Sequence, residues 1–170
     1  MKNILRPTLV LFLALTLLTG IAYPLIVTGL AETLFPAQAH GSLILKDGKA
    51  VGSALIGQSF SDPAHFWGRP SATGPMANNA AASSGSNQGP MNPALADAVK
   101  SRVAALREAD PSNKAAIPVD LVTASASGLD PHISLAAAQF QLGRVAAARK
   151  LPPQAVQALI DQNTQRPFLG

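Results

Sequence analysis

Residues 7–31 carry no charged side chain, and residues 8–30 are mostly Leu, Val, Ile, Ala, Phe and Thr. Those 23 residues, wound as a helix, span about 34 Å, enough to cross the hydrocarbon core of a bilayer. Lys2 and Arg6 precede the stretch, Glu32 is the first charge beyond it, and no Lys or Arg follows before Lys46. The positive-inside rule therefore puts the N-terminus in the cytoplasm and everything after residue 30 outside. Pro24 removes one backbone bond and is expected to kink the helix, which neighbouring helices can tolerate. Thr16 and Gly20 form a small-xxx-small pair, read either as a packing site for another membrane helix or as chance spacing. A cleaved signal peptide ending at Ala37-Gln38-Ala39 is the competing reading. The apolar run is too long for a signal sequence and lies too far from that site, which favours a retained anchor.

The anchor explains the composition. Charged residues make up 13% of the chain and hydrophobic ones 48%, against a usual charged share of about a quarter. Setting aside Lys2 and Arg6 leaves eleven basic and nine acidic groups. They are scattered, with no basic run and no interleaved aromatics, so nucleic acid is not an expected partner. Cysteine is absent, which excludes a disulfide framework, a thiolate metal site and a thiol nucleophile.

The expected organisation is an anchor over 1–31 and a small extracytoplasmic α+β domain over 32–170. Residues 42–46 and 49–56 flank Asp47-Gly48, a type I′ hairpin signal, within a hairpin over 41–57. A loop rich in Gly, Pro, Ser and Asn follows over 66–93. It holds the only Trp, Trp67, and Arg69 between Gly68 and Pro70, so it is expected to be ordered and used for contact. Asn92 as cap and Pro93 at the first helical position start a helix through 109, with Leu95, Val99, Val103 and Leu106 at helical spacing. Residues 118–124 read as a short strand and 125–130 as a second polar loop. A helix capped by Asp130 or by Ser134 then runs to Lys150, and a last helix over 154–162 is expected to bury Val156, Leu159 and Ile160.

No phosphate-binding glycine loop, nucleophile elbow or zinc-protease motif occurs. His40, His65 and His132 are widely separated and have no clustered carboxylates, so no metal site is expected. Arg69 reads as a loop organiser or as a partner contact. Ser86-Asn87, between Gly85 and Gly89, reads as an anion-binding nest or as a tight turn. An anchored serine hydrolase would use Ser86 or Ser127 with His65 or His132 as base. A solute-binding module would need a pocket between loops 66–93 and 123–132.

Five blocks then carry a resemblance. They are Val51-Gly52-Ser53-Ala54-Leu55-Ile56-Gly57-Gln58-Ser59-Phe60, Phe66-Trp67-Gly68-Arg69-Pro70-Ser71-Ala72, Gly85-Ser86-Asn87-Gln88-Gly89-Pro90-Met91-Asn92-Pro93, residues 118–125 and residues 127–134. In this order they closely resemble the C-subunit family (KdpC) of the Kdp potassium-transporting P-type ATPases. The resemblance implies a non-catalytic accessory subunit of an ATP-driven potassium importer in the bacterial inner membrane, single-pass, with its C-terminal domain in the periplasm. It implies as partners a potassium-selective A subunit, an ATP-hydrolysing B subunit and a small F subunit. ATP and potassium would be handled by the complex, with no cofactor bound directly by this chain. Partner contact would fall on Trp67, Arg69, Ser86, Asn87, Asp130 and His132. The resemblance further implies a role in raising the nucleotide affinity of the B subunit through a Gln that matches Gln141. A residue outside the membrane cannot touch cytoplasmic ATP, so such an effect would be indirect. Ser84, Gln88, Met91 and Leu135 depart from the family pattern. The family also continues past a Phe-Leu-Gly like 168–170 with an apolar, strand-like tail, so a shortened chain lacking one strand is expected.

Overall fold

The computed structural model describes residues 2–165 of the chain, with the Phe-Leu-Gly at 168–170 outside them. It forms two compact units, Met1–Ser53 and Ala54–Gly170. By content the described residues are α+β.

The first unit is dominated by one continuous apolar helical run. Ile4–Leu34 is 31 residues long with a mean hydropathy of 2.3, and none of its most apolar stretch is buried against protein. The run comprises α1 (Lys2–Leu17), a π turn (Leu18–Ala22) and α2 (Tyr23–Leu34). The π turn answers to Pro24. A proline ring crowds the carbonyl four residues back, here that of Gly20, and brings no N–H to bond it. Widening the ladder by one residue, so that the Tyr23 N–H donates to Leu18 O, carries the helix past this point. The hydroxyls of Thr8, Thr19 and Thr33 donate to the carbonyls of Ile4, Leu15 and Gly29 at 2.6–2.8 Å, so these three polar groups are answered within the helix itself.

The run breaks at Phe35 (φ −137°), and a single helical turn, α3 (Pro36–Ala39), leads to an antiparallel hairpin of β1 (Leu43–Lys46) and β2 (Lys49–Ser53). Asp47 and Gly48 both take positive φ, 51° and 74°, as a type I′ turn requires. Among the described residues strand pairing ends at Ser53, three residues short of the expected end, and the register shifts between Ile44 and Leu45.

The second unit is built around α5 (Leu135–Arg149), with α4 (Pro93–Ala109) and α6 (Pro153–Gln162). Asn92 Oδ1 accepts the Ala94 N–H at 3.0 Å with Pro93 in the first turn, and the Ser134 hydroxyl accepts the Ala137 N–H at 3.0 Å. Ser134, rather than Asp130, therefore caps α5. Lys150 closes that helix in a left-handed conformation (φ 55°), and its N–H and that of Leu151 return to the last carbonyls. One hydrophobic cluster joins Leu106, Leu121, Val122 and Ala137, with Trp67 and Phe140 packed on it. The other joins Val145, Ala146, Val156 and Ile160, with Phe66 packed on it. The neighbours Phe66 and Trp67 thus serve different clusters of one core.

Two expectations are corrected here. Residues 118–124 are not a strand: Val119–Leu121 is a 3-10 turn, and the Thr123 N–H and hydroxyl both return to Val119 O at 2.9 and 2.8 Å. A strand would send Leu121 and Val122 to opposite faces, whereas the turn buries both (4% and 7% exposed). It also turns Asp120 to accept the Ser134 N–H (2.8 Å) and hydroxyl (3.1 Å). In α6, Val156 and Ile160 are buried, but Leu159 is 53% exposed. Positions i and i+4 face α5, and the residue between them is rotated off that contact.

Candidate functional site

The loop that carries the aromatic pair lies across α5 and is held there by three side chains of that helix. Gln141 is 1% exposed. Its Oε1 accepts the Trp67 N–H at 2.8 Å, while its Nε2 donates to Trp67 O at 3.1 Å and to Ala137 O at 3.3 Å. The amide therefore pairs with Trp67 as a neighbouring strand would, satisfying a backbone that has no ladder of its own. One turn on, Arg144 donates to Gln141 Oε1 at 2.6 Å, to His65 O at 3.1 Å and to Pro63 O. Its guanidinium lies 4.8 Å from the centre of the Trp67 ring, a cation–π contact. Burial pulls the Arg144 pKa down, and Asp110 and Asp62 partly offset this. Arg149 donates to Ala64 O at 2.5 Å, and the Trp67 indole N–H to Asp62 O at 3.2 Å.

Next to this clamp the two polar loops are sewn together. Arg69 pairs with Asp130 at 2.9 Å, both about a quarter exposed. Asp130 also accepts the His132 N–H at 3.0 Å, and His132 Nδ1 stands 3.6 Å from the same carboxylate. Burial pushes the Asp130 carboxyl up, but the His132 N–H and Arg69 outweigh it, and the net pKa lies below the ordinary value. Ser71 donates to Gly128 O at 2.7 Å and accepts the Asn78 N–H at 2.9 Å. The N–H groups of Gly57, Ser84 and Ser125 donate to Leu129 O, Ser127 O and Pro70 O. The approach is close enough to require glycine: a Cβ at Gly128, whose φ is +69°, would lie 2.7 Å from Ser84 O.

Of the residues singled out in the sequence, the structure brings Trp67 together with Gln141, and Arg69 with Asp130 and His132. Ser86 and Asn87 stand apart at an exposed loop tip, where neither side chain has a hydrogen-bond partner among the described residues and Asn87 has φ 51°. Thr16 and Gly20 lie on the apolar helix, with open space where a Gly20 Cβ would be. The roles of Arg144 and Asp120 were missed. For Arg144 a signal existed, since Gln141 and Arg144 fall three apart on the face that also carries Ala137 and Val145.

The hydrolase and solute-binding alternatives find no support. Neither Ser86 nor Ser127 is hydrogen-bonded to a histidine among the described residues; Ser127 Oγ instead accepts the Leu129 N–H at 3.1 Å. The facing loops that would have enclosed a solute are bonded to one another. Comparison with known proteins is decisive. The family described as "KdpC: K+-transporting ATPase, c chain" matches residues 5–170. The chain belongs to the KdpC family. It is 72% identical to the potassium-transporting ATPase KdpC subunit of Polaromonas naphthalenivorans, over all of this chain and 87% of that one. It is 65% identical to the corresponding subunit of Variovorax paradoxus, over all of this chain and 88% of that one. With the subunit of Dechloromonas aromatica identity is 64%, over 97% of this chain and 86% of that one. KdpC is a non-catalytic subunit of the Kdp ATPase, whose catalytic subunit is KdpB.

Proposed function

We propose that this KdpC chain is an accessory subunit that stabilises an ATP-driven, high-affinity potassium import complex from the outer face of the bacterial inner membrane. Its apolar helix crosses the bilayer with Lys2 and Arg6 in the cytoplasm, and its second unit lies in the periplasm. There Trp67, Arg69, Ser86, Asn87, Asp130 and His132 define the face that meets the other subunits, foremost the potassium-selective A subunit. Thr16 and Gly20 pack the helix against a membrane helix of the A, B or F subunit. Any influence on the ATP-hydrolysing B subunit passes through the docked domain, because the Gln141 amide is engaged with Trp67 and Arg144.

The observation that carries this reading is a rigid platform with unsatisfied tips. The loops are fixed by internal bonds, yet Met91 is 92% and Met76 63% exposed, and the side chains of the polar tip Ser86-Asn87 have no hydrogen-bond partner among the described residues. Large apolar and unpaired polar groups on a preformed support are the ordinary makings of an interface. Met91→Glu and Ser86→Trp, both at exposed sites, test it. Each variant should keep its unfolding midpoint but co-purify less with affinity-tagged A subunit in mild detergent. Wild-type recovery of both variants would overturn the docking face.

A further inference from the structure

A cleft of about 220 Å³ opens beside Trp67 in the second unit, between the loop and α4. Its lining includes the guanidinium-bearing side chains Arg69 and Arg102, with Phe60, Trp67 and Leu106 as apolar wall, and it includes no Asp or Glu. Arg102 donates to Val122 O at 2.8 Å and has no carboxylate partner among the described residues. Arg69 directs one amino group to Asp130 at 2.9 Å and the other towards Ala124 O at 3.5 Å. Its Nε is buried without a hydrogen-bond partner among the described residues. Two guanidinium groups carry ten donors between them, and three are accounted for here. A buried donor left unpaired costs the desolvation it has suffered, so the cleft holds more positive charge and more donors than the described residues answer.

The lining also narrows the kind of anion. Phe60 and Trp67 offer a surface for methylene groups, which a hydrated inorganic anion lacks, while a planar guanidinium matches a carboxylate through paired N–H bonds. We propose that this cleft receives the carboxylate of a Glu or Asp side chain from another Kdp subunit, with Arg102 and Arg69 on its oxygens and its aliphatic stem against Trp67 and Phe60. The inference rests on the docking reading above and names the chemistry of the partner residue. Arg102 becomes a recognition residue, and the Arg69–Asp130 pair fixes the second guanidinium at the cleft.

Trp67 is the only tryptophan, so its emission reports on the cleft directly. The purified full-length chain in detergent is titrated at constant ionic strength with N-acetylglutamate amide, with its neutral glutamine counterpart, and with inorganic phosphate. The acidic compound should shift the emission saturably in the millimolar range, and the neutral one should not. Arg102→Gln should weaken that response about tenfold or more, as loss of a charge-assisted bond implies, while the exposed control Lys100→Gln responds as wild type. Equal responses to the acidic and neutral compounds, a wild-type response from Arg102→Gln, or saturation by phosphate at lower concentration would each overturn the proposal. The acidic-versus-neutral comparison needs only the wild-type chain, so it stands even if a variant fails to fold. If the wild-type chain co-purifies with tagged A subunit while its cleft ignores carboxylates, the cleft assignment fails and the docking reading survives.

Discussion

Gln141 shows how one side chain can replace a strand. An irregular loop crossing a helix has backbone groups that water can no longer reach, and a primary amide supplies one acceptor and two donors in the required places. In Gln141→Leu the shape is roughly kept, but the Trp67 N–H and C=O lose their partners and Arg144 loses one of its three acceptors. Groups of this kind left unpaired cost about 1–3 kcal/mol each, so a loss of about 3 kcal/mol is expected. Chemical unfolding of the full chain followed by Trp67 emission measures it, and an unchanged midpoint would count against the clamp. Asp130 belongs to the same scale. Its pKa is lowered on folding, so the stability it contributes is present above the unfolded carboxyl value and is lost as pH falls through the folded one. Sequence reading singled out Trp67, Arg69, Asp130 and His132, because an aromatic or a charge among glycines and prolines has few structural uses. It could not show that Arg69 reaches Asp130, 61 residues later, since nothing local encodes that pairing.

At the scale of elements, what was legible was what is determined locally. Asp47-Gly48 makes its turn by positive φ, and Asn92-Pro93 and Ser134 start helices with their own side chains. What was not legible was decided by tertiary contact. Residues 118–124 have the β-branched composition of a strand, but Asp120 is drawn to the start of α5, and Leu121 and Val122 are both taken into the core. Leu159 has the right spacing to be buried, yet α6 is turned so that Val156 and Ile160 alone face α5. The brace at Asp120 can be tested by itself. Asp120→Ala removes both bonds to Ser134, and a destabilisation of about 1–2 kcal/mol is expected, the size of a lost helix cap. A midpoint within error of wild type would show that Ser134 caps α5 without help.

For the whole molecule, the controlling quantity is the asymmetry of charge about the apolar helix. Lys2 and Arg6 lie before its charge-free stretch, and the next basic residue after it is Lys46, which is the basis of the orientation proposed above. That proposed orientation would determine what the KdpC chain can do. In the periplasmic placement proposed above it would bind the outer surfaces of its partners and would not reach cytoplasmic nucleotide. The absence of cysteine makes the orientation directly measurable. Lys100, whose side chain is 78% exposed on α4, is replaced in the K100C variant, giving the chain one thiol, and right-side-out spheroplasts are treated with a membrane-impermeant maleimide. Labelling in sealed spheroplasts, not increased by permeabilisation, is the expected result; labelling only after permeabilisation would place the folded unit in the cytoplasm and contradict the account.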